Sequence, residues 1–361
     1  MQEPALFPDL VRSRALPIIG AQKDITYHDT TARSILNGPE VTKMGFWSIN
    51  PYIGCAFGCA YCYARYTHRY VMERAVTAAT LDDVTQSDVE QIPPWLAFER
   101  HIVVKRNAAA VLSRTLRHGS DKHRKLIEGE AIVIGTATDP YQPAERRFRV
   151  TRGILEVLAE HPGLDVVIIT KSPLVTRDID VLVRLQRHST VSIHLSLITL
   201  DRQLARRLEP RAPTPDSRVR ALERLREAGI EVGINCMPVL PGITDNPRDL
   251  EALVRRVAQA GANSVGACAL RLQHEARKRY LPFIAEEFPQ LADRYRAAYA
   301  NSPHVSERYR QGLSSFMKRL CAKYGIDSGY PDEEDDDESS ATALLDTQLE
   351  LEFGRELVLA H

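Results

Sequence analysis

The chain has 361 residues, with 47 acidic and 47 basic side chains that cancel to a formal charge of zero, 44% hydrophobic residues and six cysteines. The neutral balance gives no argument for a polyanionic partner. Three of the six cysteines crowd into one loop, which is not a disulfide framework, and no long uncharged apolar run is present to cross a membrane. Reduced thiols predict a cytoplasmic protein with no membrane partner, and residues 1–9 lack the basic start and apolar stretch of a secretory leader.

Residues 1–44 read as an N-terminal extension. A β-rich run at 46–50 opens the core and leads into Asn50-Pro-Tyr-Ile-Gly-Cys-Ala-Phe-Gly-Cys-Ala-Tyr-Cys-Tyr-Ala-Arg65. An inserted segment, 80–118, carries a strand at 101–105, expected as an added edge strand, and a helix at 107–117. Further strands are expected at 131–136, 165–170, 191–197, 231–236 and 264–270, with helices at 150–160, 179–187, 217–228 and 247–260 between them. Two helices carry end signals: Thr214-Pro-Asp-Ser217 starts one that Gly229 stops, and Asp245-Asn-Pro247 starts another that ends at Gly261. Six β/α repeats over 45–272 predict an α/β fold, a partial (β/α)6 TIM-like barrel. Residues 273–330 turn helical and form a C-terminal cap, while the unbroken acidic run from Asp332 to Glu338 makes 331–361 a tail expected to be disordered.

Cys55, Cys59 and Cys62 form a Cys-x3-Cys-x2-Cys array, half of the thiols within eight positions. Gly54 and Gly58 let the backbone turn tightly enough to aim several sulfurs at one point. Thiolates bind soft metals, so zinc and an iron–sulfur cluster are the candidates. A structural zinc site is closed by four ligands, usually in pairs. Cys236, Cys268 and Cys321 each stand alone, so zinc would need His68 or a distant residue as its fourth ligand. An iron–sulfur cluster on three thiolates leaves one iron open, a reactive arrangement that the spacing favours.

The loop, with Tyr61 just before its last cysteine, resembles the radical S-adenosylmethionine superfamily. The runs Asn50-Pro-Tyr-Ile-Gly-Cys55, Cys62-Tyr-Ala-Arg65, Thr138-Asp-Pro-Tyr-Gln-Pro-Ala-Glu145 and Ile169-Thr-Lys-Ser172 resemble the branch related to spore photoproduct lyase, and the resemblance extends over about 45–272. It implies a 4Fe–4S cluster on Cys55, Cys59 and Cys62 whose open iron chelates S-adenosylmethionine. An electron donor such as flavodoxin or ferredoxin reduces the cluster, and cleavage of the carbon–sulfur bond gives a 5′-deoxyadenosyl radical that abstracts hydrogen from a substrate.

In such a fold the residues just after each strand meet the ligands. In the turn 136–145, Pro140 and Pro143 fix the backbone and hold Thr138, Asp139, Gln142 and Glu145 together, and Thr138 is a candidate cofactor contact. A plain N-cap turn is the simpler reading. Lys171 closes an apolar strand where a cation can pair with a carboxylate, and the resemblance makes it a candidate for that of S-adenosylmethionine. Ser192, His194 and Ser196 share one face of a strand. Ser196 is a candidate cofactor contact and His194 a candidate proton donor, although a lone histidine is more often a satisfied core residue. Val239 and Leu240 would suit an adenine ring with Tyr61 on its other side, and Asn235 would face the sugar or amino group. Arg207, Glu209 and Arg211 read equally as a ligand clamp or as a solvated ion-pair network. Cys236 and Cys268 read as packed thiols.

One departure limits the resemblance. Spore photoproduct lyase carries, in the turn after its second strand, a cysteine that returns a hydrogen atom to the substrate radical. Thr136-Ala137-Thr138 has no thiol there, and a hydroxyl O–H bond is too strong to replace it. Thymine-dimer repair is therefore not expected, and the substrate of this lyase or transferase-like enzyme stays open. The alternative is a zinc- or cluster-containing nucleic-acid-binding protein without radical chemistry. Its basis is the basic clusters at 122–125, 202–211, 218–226 and 277–279 and the aromatic and cationic run Tyr63, Arg65, Tyr66, His68, Arg69 and Tyr70.

Overall fold

The computed structural model describes residues 18–22, 24–42, 45–65, 94–117 and 120–329. The acidic tail, residues 80–93 of the insertion, and Tyr66, His68, Arg69 and Tyr70 lie outside the described residues. The chain forms two compact units. One takes the chain to Gly58, Ala64–Ile193 and Glu227–Ile230; the other takes Cys59–Tyr63, His194–Arg226 and the chain from Glu231.

The first unit holds strands β1 (Ile18–Gln22), β2 (Ile25–Thr30), β3 (Leu36–Asn37), β4 (Trp47–Ile49), β5 (Tyr52–Ile53), β6 (His101–Lys105), β7 (Ile132–Ile134) and β8 (Asp165–Thr170). β4, β7 and β8 run parallel to one another, with β3 antiparallel on β4. All three residues of β7 are buried, as expected for a parallel strand covered on both faces. Ile154, Leu155 and Leu158 of the helix Val150–Leu158 are buried with them. The segment 101–105 corrects an expectation. Instead of an added edge strand, β6 lies inside a separate four-stranded sheet of order β1-β2-β6-β5, parallel to β2 and antiparallel to β5. All five of its residues are buried, which an edge would not require.

Strand β9 (Thr190–Ser196) passes from the first unit into the second at His194. The second unit continues with β10 (Glu231–Val239), β11 (Ser264–Ala269) and β12 (Asp327–Ser328), paired in parallel in that order. The helix Pro215–Glu227 ends before Gly229, which takes a φ of 75°. Pro247–Gln259 is capped by the Asn246 side chain on the Arg248 amide. In chain order β4, β7, β8, β9, β10 and β11 alternate with helices, the α/β pattern the sequence predicts, and among the described residues no strand pairing closes a barrel. Helices His274–Glu287, Ala292–Ala298 and Glu307–Tyr324 follow β11. They are tied to the carboxyl ends of the strands: the Tyr299 hydroxyl donates to the Leu270 carbonyl at 2.8 Å and that of Tyr295 to the Pro241 carbonyl at 2.7 Å. Among the described residues no helix is long and apolar enough to cross a membrane.

Candidate active site

Residues 50–61 of the cysteine loop are buried, Cys62 is half-buried and Tyr63 is exposed. Gly54 and Gly58 have φ values of 84° and 67°, a region that side chains rarely adopt. A Cβ on Gly54 would stand 2.8 Å from the Phe98 carbonyl oxygen, the group that accepts the Cys55 amide at 2.9 Å. The loop's turn at Cys55 is therefore specified by the backbone of the helix before β6.

In the first unit the polar turn after β7 holds this end of the loop. Thr138 Oγ1 donates to the Gly54 carbonyl at 2.6 Å, and Gln142 reaches the same carbonyl at 3.1 Å while its Oε1 accepts the Ala56 amide at 3.0 Å. Asn50, at the end of β4, donates to Thr136 Oγ1 at 3.0 Å and accepts the Ala137 amide at 2.8 Å. The buried Lys105 ammonium donates to the Asn50 carbonyl at 2.7 Å. Asp139 turns the other way, accepting from Thr170 Oγ1 and from the Lys171 amide, both at 2.7 Å. Burial pushes its carboxyl up, and those hydrogen bonds oppose the rise. Glu145 accepts the Thr151 amide at 2.8 Å and pairs with Arg177 at 2.7 Å. The turn is thus more than a helix cap. Gln142, at the N-cap position, makes no capping side-chain bond.

The second unit holds the rest of the loop. The Ala60 amide donates to the Leu208 carbonyl at 2.9 Å and the Cys62 amide to the Cys59 carbonyl at 3.2 Å. The Tyr61 hydroxyl donates to Glu209, whose other oxygen meets Arg218. Burial pushes the Tyr61 phenol well up, and the neighbouring Glu209 carboxylate adds to the rise. Arg218 then donates to the Ser196 carbonyl at 2.9 Å and twice to the Pro213 carbonyl, at 3.0 and 2.8 Å. Tyr61 and Ser196 are thereby joined through one buried ion pair, the two side chains 1% and 2% exposed. On the neighbouring strands His194 Nδ1 lies 3.1 Å from Asn235 Oδ1. Val239 and Leu240 are fully buried.

The predicted site residues therefore fall into groups. Thr138 and the Lys171 backbone meet the polar turn of the first unit, and Tyr61, Ser196, His194 and Asn235 lie in the second. Sequence reasoning missed Arg218, which reads as part of a basic, solvated helix face but is a core cation. Arg207 pairs with Glu287 at 2.8 Å, so of the proposed clamp Glu209 faces inward and Arg207 outward. Cys268 is also corrected. It is exposed, whereas Cys236 and Cys321 are buried with thiols pushed up to about 12 and about 11. Its parity explains this: Asn235 pairs with Gly266, so Cys268, two residues on, shares the half-buried Asn235 face rather than the packed Cys236 face.

All three loop cysteines are free of disulfides. Among the described residues no group of three or more His, Cys, Asp or Glu side chains is gathered as a site for a single metal ion. Cys55 belongs to the first unit and Cys59 and Cys62 to the second, on one stretch of chain that turns through positive φ at two glycines; three thiols and no further protein donor among the described residues are the donor chemistry of an iron–sulfur cluster with three protein ligands.

The radical SAM superfamily model matches residues 49–257. An uncharacterized protein of Mycobacterium tuberculosis is 33% identical over 319 residues, 88% of this chain and 85% of that protein. One of Methanocaldococcus jannaschii is 29% identical over 197 residues, 55% of this chain and 61% of that protein. Among solved structures, a spore photoproduct lyase variant with bound S-adenosylmethionine and dinucleoside spore photoproduct matches with a TM-score of 0.60 at 14% identity, covering 90% of this chain and 89% of that one. The likeness shows the fold.

Proposed function

The chain belongs to the radical S-adenosylmethionine superfamily, and from that premise we propose that it is an enzyme that abstracts a hydrogen atom from a substrate still to be identified. Its cofactors are a 4Fe–4S cluster and S-adenosylmethionine, which when bound and reduced supply a 5′-deoxyadenosyl radical. Cys55, Cys59 and Cys62 would hold the cluster. Lys171, at the end of β8, is assigned to the carboxylate of S-adenosylmethionine. Asp139 fixes the backbone from which that lysine projects. Asn235, held by His194, is assigned to the sugar or amino group, and Tyr61 and Ser196 to the adenosine side through the backbone that the Glu209–Arg218 pair holds. Thr138 serves the cofactor indirectly, because its hydroxyl is engaged by Gly54 and Gln142. His194 is the candidate proton donor.

The observation that carries this reading is the cysteine loop itself, buried to Tyr61 and clamped by side-chain hydrogen bonds at Gly54 and Ala56. Thymine-dimer repair is not assigned. The turn after β7 has threonines at 136 and 138, both hydrogen-bonded to the loop and its approach, and no thiol. The test is anaerobic reconstitution with iron and sulfide, dithionite reduction, and electron paramagnetic resonance with and without S-adenosylmethionine. The reading predicts a cluster signal that shifts with the cofactor and release of 5′-deoxyadenosine, both lost in Cys59→Ala. Stoichiometric zinc in place of iron would overturn it.

A further inference from the structure

We propose that the acidic run Asp332–Glu338 docks on the basic rim made by Arg271, His304 and Arg310, just beyond the carboxyl end of β11, and competes there with anionic ligands. Run and rim belong to the second unit, and the inference does not depend on the radical reading.

The last strand sets the direction in which the run leaves the fold. β12 lies parallel to β11, with Asp327 beside Ser264 and Ser328 beside Val265. The Gly329 amide donates to the Val265 carbonyl at 3.0 Å, and a Cβ on Gly329 would stand 3.1 Å from the Gly266 nitrogen. At Gly329 the chain therefore heads along β11 toward the carboxyl end of that strand. Tyr330 and Pro331 follow, and then seven consecutive carboxylates, Asp332 to Glu338. An extended chain advances at most about 3.6 Å per residue, so the run can reach up to about 30 Å beyond Gly329. Arg271 is five residues along from Gly266, about 17 Å on in strand geometry, and falls within that reach.

Positive charge gathers at that point. Arg271 and His304 form an antiparallel backbone bridge, and the Leu272 amide donates to the Pro303 carbonyl at 2.8 Å. Arg310 lies in the first turns of the helix Glu307–Tyr324. Burial lowers the His304 pKa and the Arg271 and Arg310 guanidinia lower it further, which puts both charges around one imidazole. Both arginines are exposed. Among the described residues no carboxylate pairs with Arg310: Glu307, one turn earlier, is bonded by the Gln311 amide at 3.4 Å, and Asp245 is buried under the Tyr309 hydroxyl at 2.8 Å. A run of like charges repels itself, and a rim of opposite sign relieves that repulsion. Ligands of a parallel α/β fold meet the carboxyl ends of its strands, so a polyanion held here stands where an anionic ligand would enter.

The experiment measures docking and competition separately in the reconstituted full-length protein. Docking is read as the rate at which a glutamate-specific protease cuts after Glu338. At low salt R271E/R310E should be cut at least about fivefold faster than wild type, and the gap should close near 1 M salt, where the screening length is about 3 Å. If R271E/R310E does not fold, the single Arg310→Gln carries the test, with cutting about twofold faster than wild type expected. Equal rates in wild type and the arginine variant overturn the docking, and protection that vanishes on dilution overturns docking within one chain. Competition is read with tripolyphosphate as the anion, titrated by calorimetry into wild type and into a variant whose Asp332–Glu338 carboxylates are replaced by the matching amides. The amide variant should bind it at least about fivefold tighter at low salt, and combining the amides with Arg310→Gln should remove that gain. A tripolyphosphate Kd that ignores the charge of the run, or a gain that survives Arg310→Gln, overturns the competition at this rim.

Discussion

Replacing Arg218 with methionine tests whether the cysteine segment is held by the core ion pair beneath it. Arg218 and Glu209 are 2% and 1% exposed, and the guanidinium also serves the Ser196 and Pro213 carbonyls. Arg218→Met leaves the Glu209 carboxylate buried without its cation, which costs about 3–5 kcal/mol. For a unit of this size that is a fall in Tm on the order of 10 °C. Removing both charges in R218M/E209L leaves the Tyr61 hydroxyl without its acceptor, about 1–3 kcal/mol, and no unpaired ion. The double variant should therefore be more stable than Arg218→Met, with a coupling of about 2 kcal/mol or more in the cycle. The assay is anaerobic thermal and urea unfolding of the cluster-free protein for wild type, both single variants and the double. Because Tyr61 lies between Cys59 and Cys62, iron uptake should fall in the order of destabilisation. A double variant as unstable as the sum of its singles, or an Arg218→Met loss below about 1 kcal/mol, would refute the reasoning.

Gly54→Ala places a Cβ 2.8 Å from the Phe98 carbonyl at a φ of 84°; strain of about 1–2 kcal/mol is expected from the backbone alone, and reconstituted protein should hold clearly less iron, counted per chain. Lys105 is buried with its amine lowered to about 8 by desolvation. Between about pH 8 and 10.5 the unfolded chain binds a proton that the folded chain releases, so its contribution to stability rises with pH, by about 3 kcal/mol over the window. The stability difference between wild type and Lys105→Met should shift by that amount in favour of wild type from pH 7 to 10.5, and a flat difference would sink the argument. Cys268 should react with iodoacetamide in the folded protein while Cys236 and Cys321 are at least about a hundredfold slower, because burial and raised pKa both suppress their thiolates; mass spectrometry of tryptic peptides reads the order directly.

The β/α succession was legible because each core strand is a short run of β-formers between turn residues. Asp165–Thr170 and the start of β10 at Glu231 fall where the pattern predicts. The cysteine loop was legible because spacing along the chain is itself the signal. What escaped depends on partners remote in sequence. β6 reads as an isolated apolar run, and its placement beside β2 is set by pairings such as Thr26 with His101. β12 has two polar residues, Asp327 and Ser328, and exists only because β11 offers it an edge. Arg218 sits among arginines on a helix of polar average character, and nothing local tells it from its solvated neighbours. Its fate is decided by Glu209, brought back under the helix by the turn through Pro210 and Pro213.

The polar residues after β7 show what such side chains do for the loop itself. A loop with three cluster ligands and an open iron must leave one side clear for the cofactor, so packing against the ligand cannot rigidify it before the ligand arrives. The loop has to be fixed from its protein side, and buried backbone groups there need partners. Thr138 and Gln142 take the Gly54 carbonyl and the Ala56 amide, Phe98 takes the Cys55 amide, and Leu208 takes that of Ala60. Thr138, a candidate cofactor contact from sequence, and Gln142 both bond the backbone next to Cys55. Ala or Val at 138 would leave the Gly54 carbonyl with Gln142 alone among these two donors, at a cost of about 1 kcal/mol. In that case cluster uptake should suffer before affinity for S-adenosylmethionine in the molecules that do load. A Thr138→Val enzyme with full iron content but weakened cofactor binding would return Thr138 to direct contact with the cofactor.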